Sequence, residues 1–337
     1  MLRNTIQSRD RSGNMAEYIP KIALTAGDPA GIGPELVVKT VASPEWKGRA
    51  RFVIYGEVTV LEEAARRWSD GKVTEIRSAG SLPFGSFELG RADGRCGKIA
   101  YDGLSMAVRD ALAGEVDAIV TAPMNKYSVN LAGIPFTGHT ERIAELCNCS
   151  NYVMMQSSGN LRMVFVTCHI PLAEVASRAV KPEIVRVTRL LDDAVRAEGI
   201  VSPKLAMAAI NPHAGENGCM GMEDERETKP AIAELRASGI DVEGPFPPDT
   251  LFVESTRSRY DGLVTMYHDQ GHIPFKMLAF DSGVNSTLGL PVIRTSPDHG
   301  TAFDIAWRGT ADEGSFRAAV NLAIRRAVRR REGGSAC

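Results

Sequence analysis

Short apolar runs alternate with amphipathic stretches along most of this chain. KIALTA, RFVIY, VDAIVTAP, YVMMQ, LRMVFVT, KLAMAAI and DGLVTMY are continuous apolar runs, the pattern of strands buried on both faces, and VTEIR is a weaker example. Between them the spacing predicts helices. One starts at Pro34, which gives up no needed hydrogen bond at a first helical position, with Glu35 at the positive end of the dipole, and runs to about Thr40. Others are expected in VTVLEEAARRW, KIAYDGLSMAVRDALA, PEIVRVTRLLDDAVRAEG, ERETKPAIAELRASG with Pro230 interrupting it, and the closing EGSFRAAVNLAIRRAVRR. Strands alternating with such helices mark an α/β protein with parallel sheets, while YVMMQ and LRMVFVT lie close enough for a hairpin. At 337 residues the chain exceeds the ~250 to 300 at which single cores stop growing, so two domains or lobes are expected.

Polar residues gather where these runs end. Asp28 follows KIALT, Asn125 and Lys126 follow DAIVT, and His169 follows RMVFV; Asn211 and His213 follow KLAMAAI, His268 and Asp269 follow LVTM, and Arg294 follows LPVI. Ligands of open α/β sheets bind beyond the carboxyl ends of the strands, so these six loops are expected to face one cleft. The densest stretch is Leu263 to Asp304, read as a short strand running into His268 and then a turn-rich segment. It holds three of the chain's six histidines.

Composition narrows the function classes. With 44% hydrophobic residues, 24% charged residues and a net charge of −2, the chain is an ordinary globular one with no electrostatic case for nucleic acid or membrane surfaces. No apolar run approaches the ~18 residues of a membrane span. The six cysteines show no CxxC spacing, which fits reduced cytoplasmic thiols rather than a disulfide scaffold. Residues 1–19 lack the apolar core of a secretory signal and read as a disordered extension, with Met15 a candidate start. The basic RRAVRRREGGSAC reads as the solvated end of a helix plus a tail.

Four groups of residues carry candidate chemistry. The loop GDPAGIGPE matches neither a P-loop nor the G-x-G-x-x-G fingerprint, so a turn with a helix start and a ligand-contacting backbone both stand open. His169, His213 and His268, each after an apolar strand, are the residue type that holds a divalent transition metal, with Asp269 beside His268 to orient it or manage a proton. An i,i+4 ligand pair of His268 and His272 is the alternative. Gly138-His139-Thr140-Glu141 opens a helix, a setting that favours anions, and Lys126, Lys276 and Arg294 add cations for a carboxylate or phosphate. Asp298-His299-Gly300-Thr301-Ala302-Phe303-Asp304 is a small-residue turn able to wrap an adenosine, with Asp304 accepting from ribose hydroxyls; a plain turn is the alternative.

At these residues the chain resembles the 4-hydroxythreonine-4-phosphate dehydrogenase family of pyridoxal phosphate biosynthesis. The resemblance runs from Lys21 to about Arg325, through ALTAGDPAGIGPE, GIPFTGHTE, NPHAGENG, PPDTLF, YHDQGHIP, GVNSTLGLP and IRTSPDHGTA. It implies an isocitrate/isopropylmalate dehydrogenase-like α/β fold, two α/β/α domains with an interdomain cleft, working as a homodimer with shared active sites. The expected division is residues 1–19 as an extension, 20–126 with 275–331 as the domain carrying the nucleotide loop, and 127–274 as the domain carrying the metal histidines and the dimer interface. The implied metal ligands are His169, His213 and His268, for zinc, magnesium, cobalt or manganese. His139, Thr140, Lys276, Asn285 and Arg294 are the implied substrate contacts, and His299, Gly300, Thr301, Ala302 and Asp304 the implied contacts to NAD or NADP. Asp249, Asp269 and Lys276 are the candidates for proton transfer.

The activity so implied is oxidation of a phosphorylated hydroxy acid, of the 4-hydroxythreonine 4-phosphate type, to a β-keto acid that loses carbon dioxide. One departure bears on the substrate. After His-Asp-Gln-Gly the chain has His272-Ile273-Pro274 where the biosynthetic enzymes carry an apolar residue, and this is similar to the paralogous branch acting on D-threonate or D-erythronate 4-phosphate. Aromatic cis-dihydrodiol dehydrogenases are similar too. From a different class, a metal-dependent hydrolase using the same three histidines, or a sugar-phosphate-binding protein without catalysis, is the rival reading.

Overall fold

The computed structural model describes residues 18–71, 73 and 75–333. The expected N-terminal extension, with Met15, therefore lies almost wholly outside the described residues, as does the tail after Gly333. The chain divides into two compact units, residues 1–148 with 291–337 and residues 149–290.

The first unit begins as the apolar runs predict. Strand β1 (Lys21–Thr25) leads into α1 (Gly33–Ala42), β2 (Arg51–Gly56) into α2 (Val58–Trp68), and β3 (Glu75–Ser78) into α3 (Gly94–Leu112). Then come β4 (Ala118–Thr121), α4 (Lys126–Leu131) and α5 (His139–Leu146). In the second unit β5 (Val153–Ser158) and β6 (Leu161–Phe165) form the antiparallel hairpin. They precede α6 (Val175–Arg178), α7 (Lys181–Ala197), β7 (Lys204–Ala208), α8 (Lys229–Ala237), β8 (Asp241–Phe246), α9 (Pro248–Leu251) and α10 (Glu254–Arg257). After β9 (Gly262–Thr265), α11 (His268–Ala279) and β10 (Val284–Leu288), the chain returns to the first unit with β11 (Arg294–Pro297) and α12 (Gly314–Glu332).

Strands of the first unit run in the order β3-β2-β1-β4-β11, all pairs parallel. Helix α3 packs on β1, β2 and β4, and α12 on β11 and β4. The second unit orders its strands β10-β5-β6-β9-β7-β8, with β6, β9, β7 and β8 parallel. Alternation along these strands supplies two cores. Val164, Leu205, Met207 and Val264 face α7 and α8, while Met163, Phe165, Ala206 and Leu263 face Phe275 of α11 and Leu251 of α9.

Three expectations are corrected. The domain boundaries differ by about twenty residues at each crossing: α4 and α5 pack on α3, so 127–148 belongs to the first unit, and β10 pairs with β5, so 275–290 belongs to the second. The segment after His268, read as turns, is a twelve-residue helix followed by two strands. Gly271 and Pro274 obscured that helix because both are poor helix formers. Gly271 is there for contact, since a Cβ would stand 2.5 Å from the Phe165 ring and 2.7 Å from Thr265 Oγ1, where α11 presses on β6 and β9. Finally, Arg294 does not follow a strand but begins one, pairing at the level of Ile119 on β4.

Candidate active site

The three histidines singled out by the apolar runs come after the carboxyl ends of β6, β9 and β7, three adjacent parallel strands. Parallel neighbours stand ~4.8 Å apart, so loops leaving the same end of such strands are brought within side-chain reach. His169 and His268 achieve it, with ring centroids 5.7 Å apart. His268 opens α11, and its Nδ1 is 2.6 Å from Asp269 Oδ1, which fixes the tautomer with Nε2 left for a ligand. Exposed His169 takes a left-handed conformation, φ +47°, at the turn out of β6. Among the described residues of the single chain, no group of three His, Cys, Asp or Glu side chains is placed to hold a metal ion. The donors that do meet, two imidazoles with one carboxylate behind them, have the chemistry a divalent transition metal takes.

His213 is exposed at the start of an uncommon element. Residues 213–217 all have positive φ, so NPHAGENG makes a left-handed turn. For residues with a Cβ this costs roughly 1–2 kcal/mol each and persists only where the surroundings impose it. Asp224 anchors the chain where it enters this turn. Fully buried, its carboxylate accepts from the backbone N–H groups of Ile210 and Asn211 at 2.8 and 3.0 Å and from the Thr228 hydroxyl at 2.9 Å. Ala214→Gly, at φ +53°, is accordingly expected to stabilise the protein by ~0.5–1 kcal/mol. A thermal melt that leaves the midpoint unchanged or lowers it would show the turn to be unstrained.

His272, the alternative partner of His268, lies one turn along α11 from it. It is buried, its ring stacked at 4.2 Å on Phe165 and at 4.0 Å on His268, with Nε2 3.5 Å from the Gln156 amide. Lys276 lies eight residues along α11 from His268, ~12 Å on the helix axis, with its ammonium over the Phe280 ring. Asn285 stands on β10 opposite Gln156, and its Oδ1 is buried without a protein partner. Asp249 is exposed on α9.

In the first unit, α5 opens at Gly138 with His139 and Thr140 as its first residues, as the motif predicts. Burial, reinforced by the Arg294 and Lys126 cations, pushes the His139 imidazole down to about 3, so it is neutral at physiological pH. Its Nε2 is buried and unpartnered. Arg294 is 4% exposed. Its side chain runs along the sheet to the carboxyl end of β4, where Nε and Nη2 donate to Thr121 Oγ1 at 3.2 and 2.9 Å. Burial pushes the guanidinium down to about 10, against the field of Glu141, and it remains a cation. Lys126, at the start of α4, is exposed.

The glycine loop makes the turn from β1 into α1 and holds one buried acid. A Cβ at Gly33 would stand 2.1 Å from the Ala26 carbonyl, so only glycine lets β1 turn into α1. Asp28 Oδ1 accepts from Ala30 N at 3.0 Å, Oδ2 is buried without a partner, and burial raises the carboxyl to about 6. A folded-state value above the unfolded one favours the protonated form, so this stability is full below about pH 4 and lost as pH rises through about 6, by ~3 kcal/mol at most. Asp28→Asn is expected to abolish that fall and to be more stable than the parent at pH 7, as denaturant titrations from pH 4.5 to 7.5 would measure; a parallel fall in both proteins would exclude Asp28 as its source.

The turn after β11 carries the remaining candidates. His299 is partly buried, with Nε2 unpartnered and its proton affinity lowered by burial. At Gly300 a Cβ would meet nothing within 4 Å. Ala302 has φ +41°, and Asp304 is exposed. Thr121, Gln156 and Asp224, which support Arg294, His272 and the His213 turn, are residues that sequence reasoning missed. Nothing in their local pattern marks them, because each acts on a residue brought to it by the fold.

Comparison with known proteins supplies the context. The family profile described as pyridoxal phosphate biosynthetic protein PdxA matches residues 48–323. The chain is 42% identical to a 4-hydroxythreonine-4-phosphate dehydrogenase of Desulforapulum autotrophicum, over 93% of this chain and 97% of that one. It is 41% identical to the D-threonate 4-phosphate dehydrogenase of Salmonella typhimurium, over 90% and 98%. A solved 4-hydroxythreonine-4-phosphate dehydrogenase from Klebsiella pneumoniae superposes with a TM-score of 0.81 at 39% identity, covering 92% of this chain and 98% of that one. An isocitrate dehydrogenase from Methylococcus capsulatus, at 18% identity, TM-score 0.50 and coverage of 94% and 89%, shares the fold alone. The strand order, the histidine loops and these likenesses agree: the chain is an isocitrate dehydrogenase-like α/β protein and belongs to the pyridoxal phosphate biosynthetic PdxA family.

Proposed function

We propose that this enzyme, an oxidoreductase like its dehydrogenase relatives, carries out NAD(P)- and divalent-metal-dependent oxidation of a 4-phosphorylated 3-hydroxy acid to a β-keto acid that decarboxylates. The observation that carries it is the placing of His169, His268 and His213 beyond three adjacent parallel strands, with two imidazoles 5.7 Å apart. A hydrolase built on the same histidines is set aside because the close relatives are dehydrogenases.

His169, His213 and His268 would hold a divalent ion, which would supply polarisation of the substrate hydroxyl, and a bound nicotinamide would supply the hydride acceptor. The chain's own groups do the rest. Asp269 holds His268 in one tautomer through the 2.6 Å bond, and Asp249 and Lys276 are the other proposed proton carriers. His139, Thr140 and Arg294 recognise an anionic group of the substrate: Arg294 supplies charge, neutral His139 its buried Nε2, and Thr140 a place at the start of α5. Lys276 and Asn285, the proposed contacts of the second unit, offer an exposed ammonium and a buried carbonyl oxygen. His299 to Asp304 receives the nucleotide. A second copy of the chain is the proposed partner, docking on the exposed apolar side of α11, where Ile273, Met277 and Phe280 repeat at helical spacing just beyond His268.

The specific observation favouring D-threonate or D-erythronate 4-phosphate is His272, buried against His268 where an apolar residue would only pack. Steady-state kinetics with the aminated and non-aminated acid phosphates, metal and NAD or NADP decide both points. Faster turnover of the aminated acid would reject the His272 reading, and no nicotinamide reduction with either would reject the function.

A further inference from the structure

We infer that Glu35 is the positioning residue of the nucleotide loop, setting affinity for the dinucleotide without touching it. The inference rests on the proposed reading of residues 299–304 as the nucleotide site. Residues 298–313 have no regular secondary structure, and two of them with side chains, Ala302 and Trp307, hold positive φ at +41° and +61°. Such a loop keeps one shape only if its ends and middle are tied down.

Asp298 N donates to Ser315 Oγ of α12 at 3.0 Å, and further ties lead back to the glycine loop and α1. Ile32 N donates to Thr301 O at 3.1 Å, and Trp307 Nε1 donates to Pro29 O at 2.9 Å. Glu35, 1% exposed in the first turn of α1, accepts from Ala311 N through Oε1 at 3.0 Å and from Gly309 N through Oε2 at 3.1 Å. Lys39, one turn on, bonds Oε1 at 2.7 Å and donates to Gly309 O at 3.0 Å. A single buried carboxylate thus closes the loop's far end with both of its oxygens, and its charge is matched by Lys39. The Trp307 ring is held by Phe84 and Trp68 at 4.8 and 5.4 Å and covered by Arg67 at 5.2 Å, so the middle of the loop has its own anchor and Glu35 sets the path of the segment that follows it.

The role is one of geometry, since Glu35 reaches backbone N–H groups five or more residues beyond Asp304. Its loss leaves the buried Ala311 amide, the half-buried Gly309 amide and Lys39 to find new partners, and the loop relaxes. A displacement of ~1 Å in a binding loop weakens productive binding by up to ~100-fold.

Glu35→Gln, which can still accept from one of the two amides, and Glu35→Ala are compared with the full-length parent by NADH fluorescence titration, steady-state kinetics and thermal melts. The expected result is a dissociation constant for NADH and a KM for the nicotinamide cofactor raised by ~10-fold or more, with the KM for the acid phosphate unchanged. A lower melting temperature with unchanged NADH affinity would reduce Glu35 to a structural strut and overturn the inference. His299→Ala and Asp304→Ala, run alongside, separate the two levels. If neither weakens NADH, the nucleotide reading itself fails; if they weaken it and Glu35→Gln does not, only the role of Glu35 fails.

Discussion

Replacing Arg294 by methionine is expected to lower kcat/KM for the acid phosphate by ~10²- to 10³-fold while leaving the protein as stable as before or more so. The two effects have one cause. A guanidinium that is 4% exposed, with its proton affinity pushed down by burial, is held at a cost in the free protein. Thr121 gives it a neutral oxygen, and Glu141 acts on it through its field. A phosphate or carboxylate arriving at this place meets a cation already stripped of water, so the attraction is strong where a surface arginine's would be screened. Methionine has similar bulk and no charge to bury, which is why stability is not expected to fall. Steady-state kinetics beside a denaturant titration test both halves. A large loss of stability with an unchanged KM would make Arg294 a strut for Thr121 and not a substrate contact.

Removal of metal is expected to cost still more. Dialysis against a chelator should reduce turnover by ~10³-fold or more, reversibly, because polarising a hydroxyl contributes several kcal/mol and each 1.4 kcal/mol is tenfold in rate. NADH binding should survive, since the loop at His299 belongs to the first unit and the histidines to the second. His268→Ala is expected to mimic the chelator and Asp269→Asn to weaken metal affinity by ~10- to 100-fold, the effect of releasing the hydrogen bond that orients a ligand. Calorimetric titration with zinc or cobalt reads these directly. Full turnover in the chelated enzyme would remove the metal from the mechanism, and unchanged affinity in Asp269→Asn would leave that carboxylate free for proton transfer.

The fold class was legible because its signal is local. Continuous apolar runs such as KLAMAAI and RMVFV suit strands covered on both faces, and the polar residues after them then fall in the loops at the strands' carboxyl ends. His169, His213 and His268 follow β6, β7 and β9 in this way. The same pattern failed at Arg294, which begins β11, because only the last residue of LPVI reaches the sheet, where Ile293 O accepts from Ile119 N at 2.9 Å, and the strand itself runs on from Arg294 to Pro297. It also failed at α11, where Gly271 is required by the approach to Phe165 and a propensity scale reads the same glycine as a break.

By itself, then, the amino-acid sequence determined the alternation of strands and helices, the family, and which residue types stand where chemistry is done. Tertiary structure alone decided how those residues are held. Asp224 holds the backbone of Ile210 and Asn211, at the entry to the left-handed turn of His213, from fourteen and thirteen residues away along the chain. Glu35 reaches Gly309 and Ala311 across 274 and 276 residues, and Arg294 reaches Thr121 across 173. The physical reason is range. Periodicity and propensity act within a turn or a strand, whereas the partner of a buried charge is chosen by what the packed sheet brings beside it.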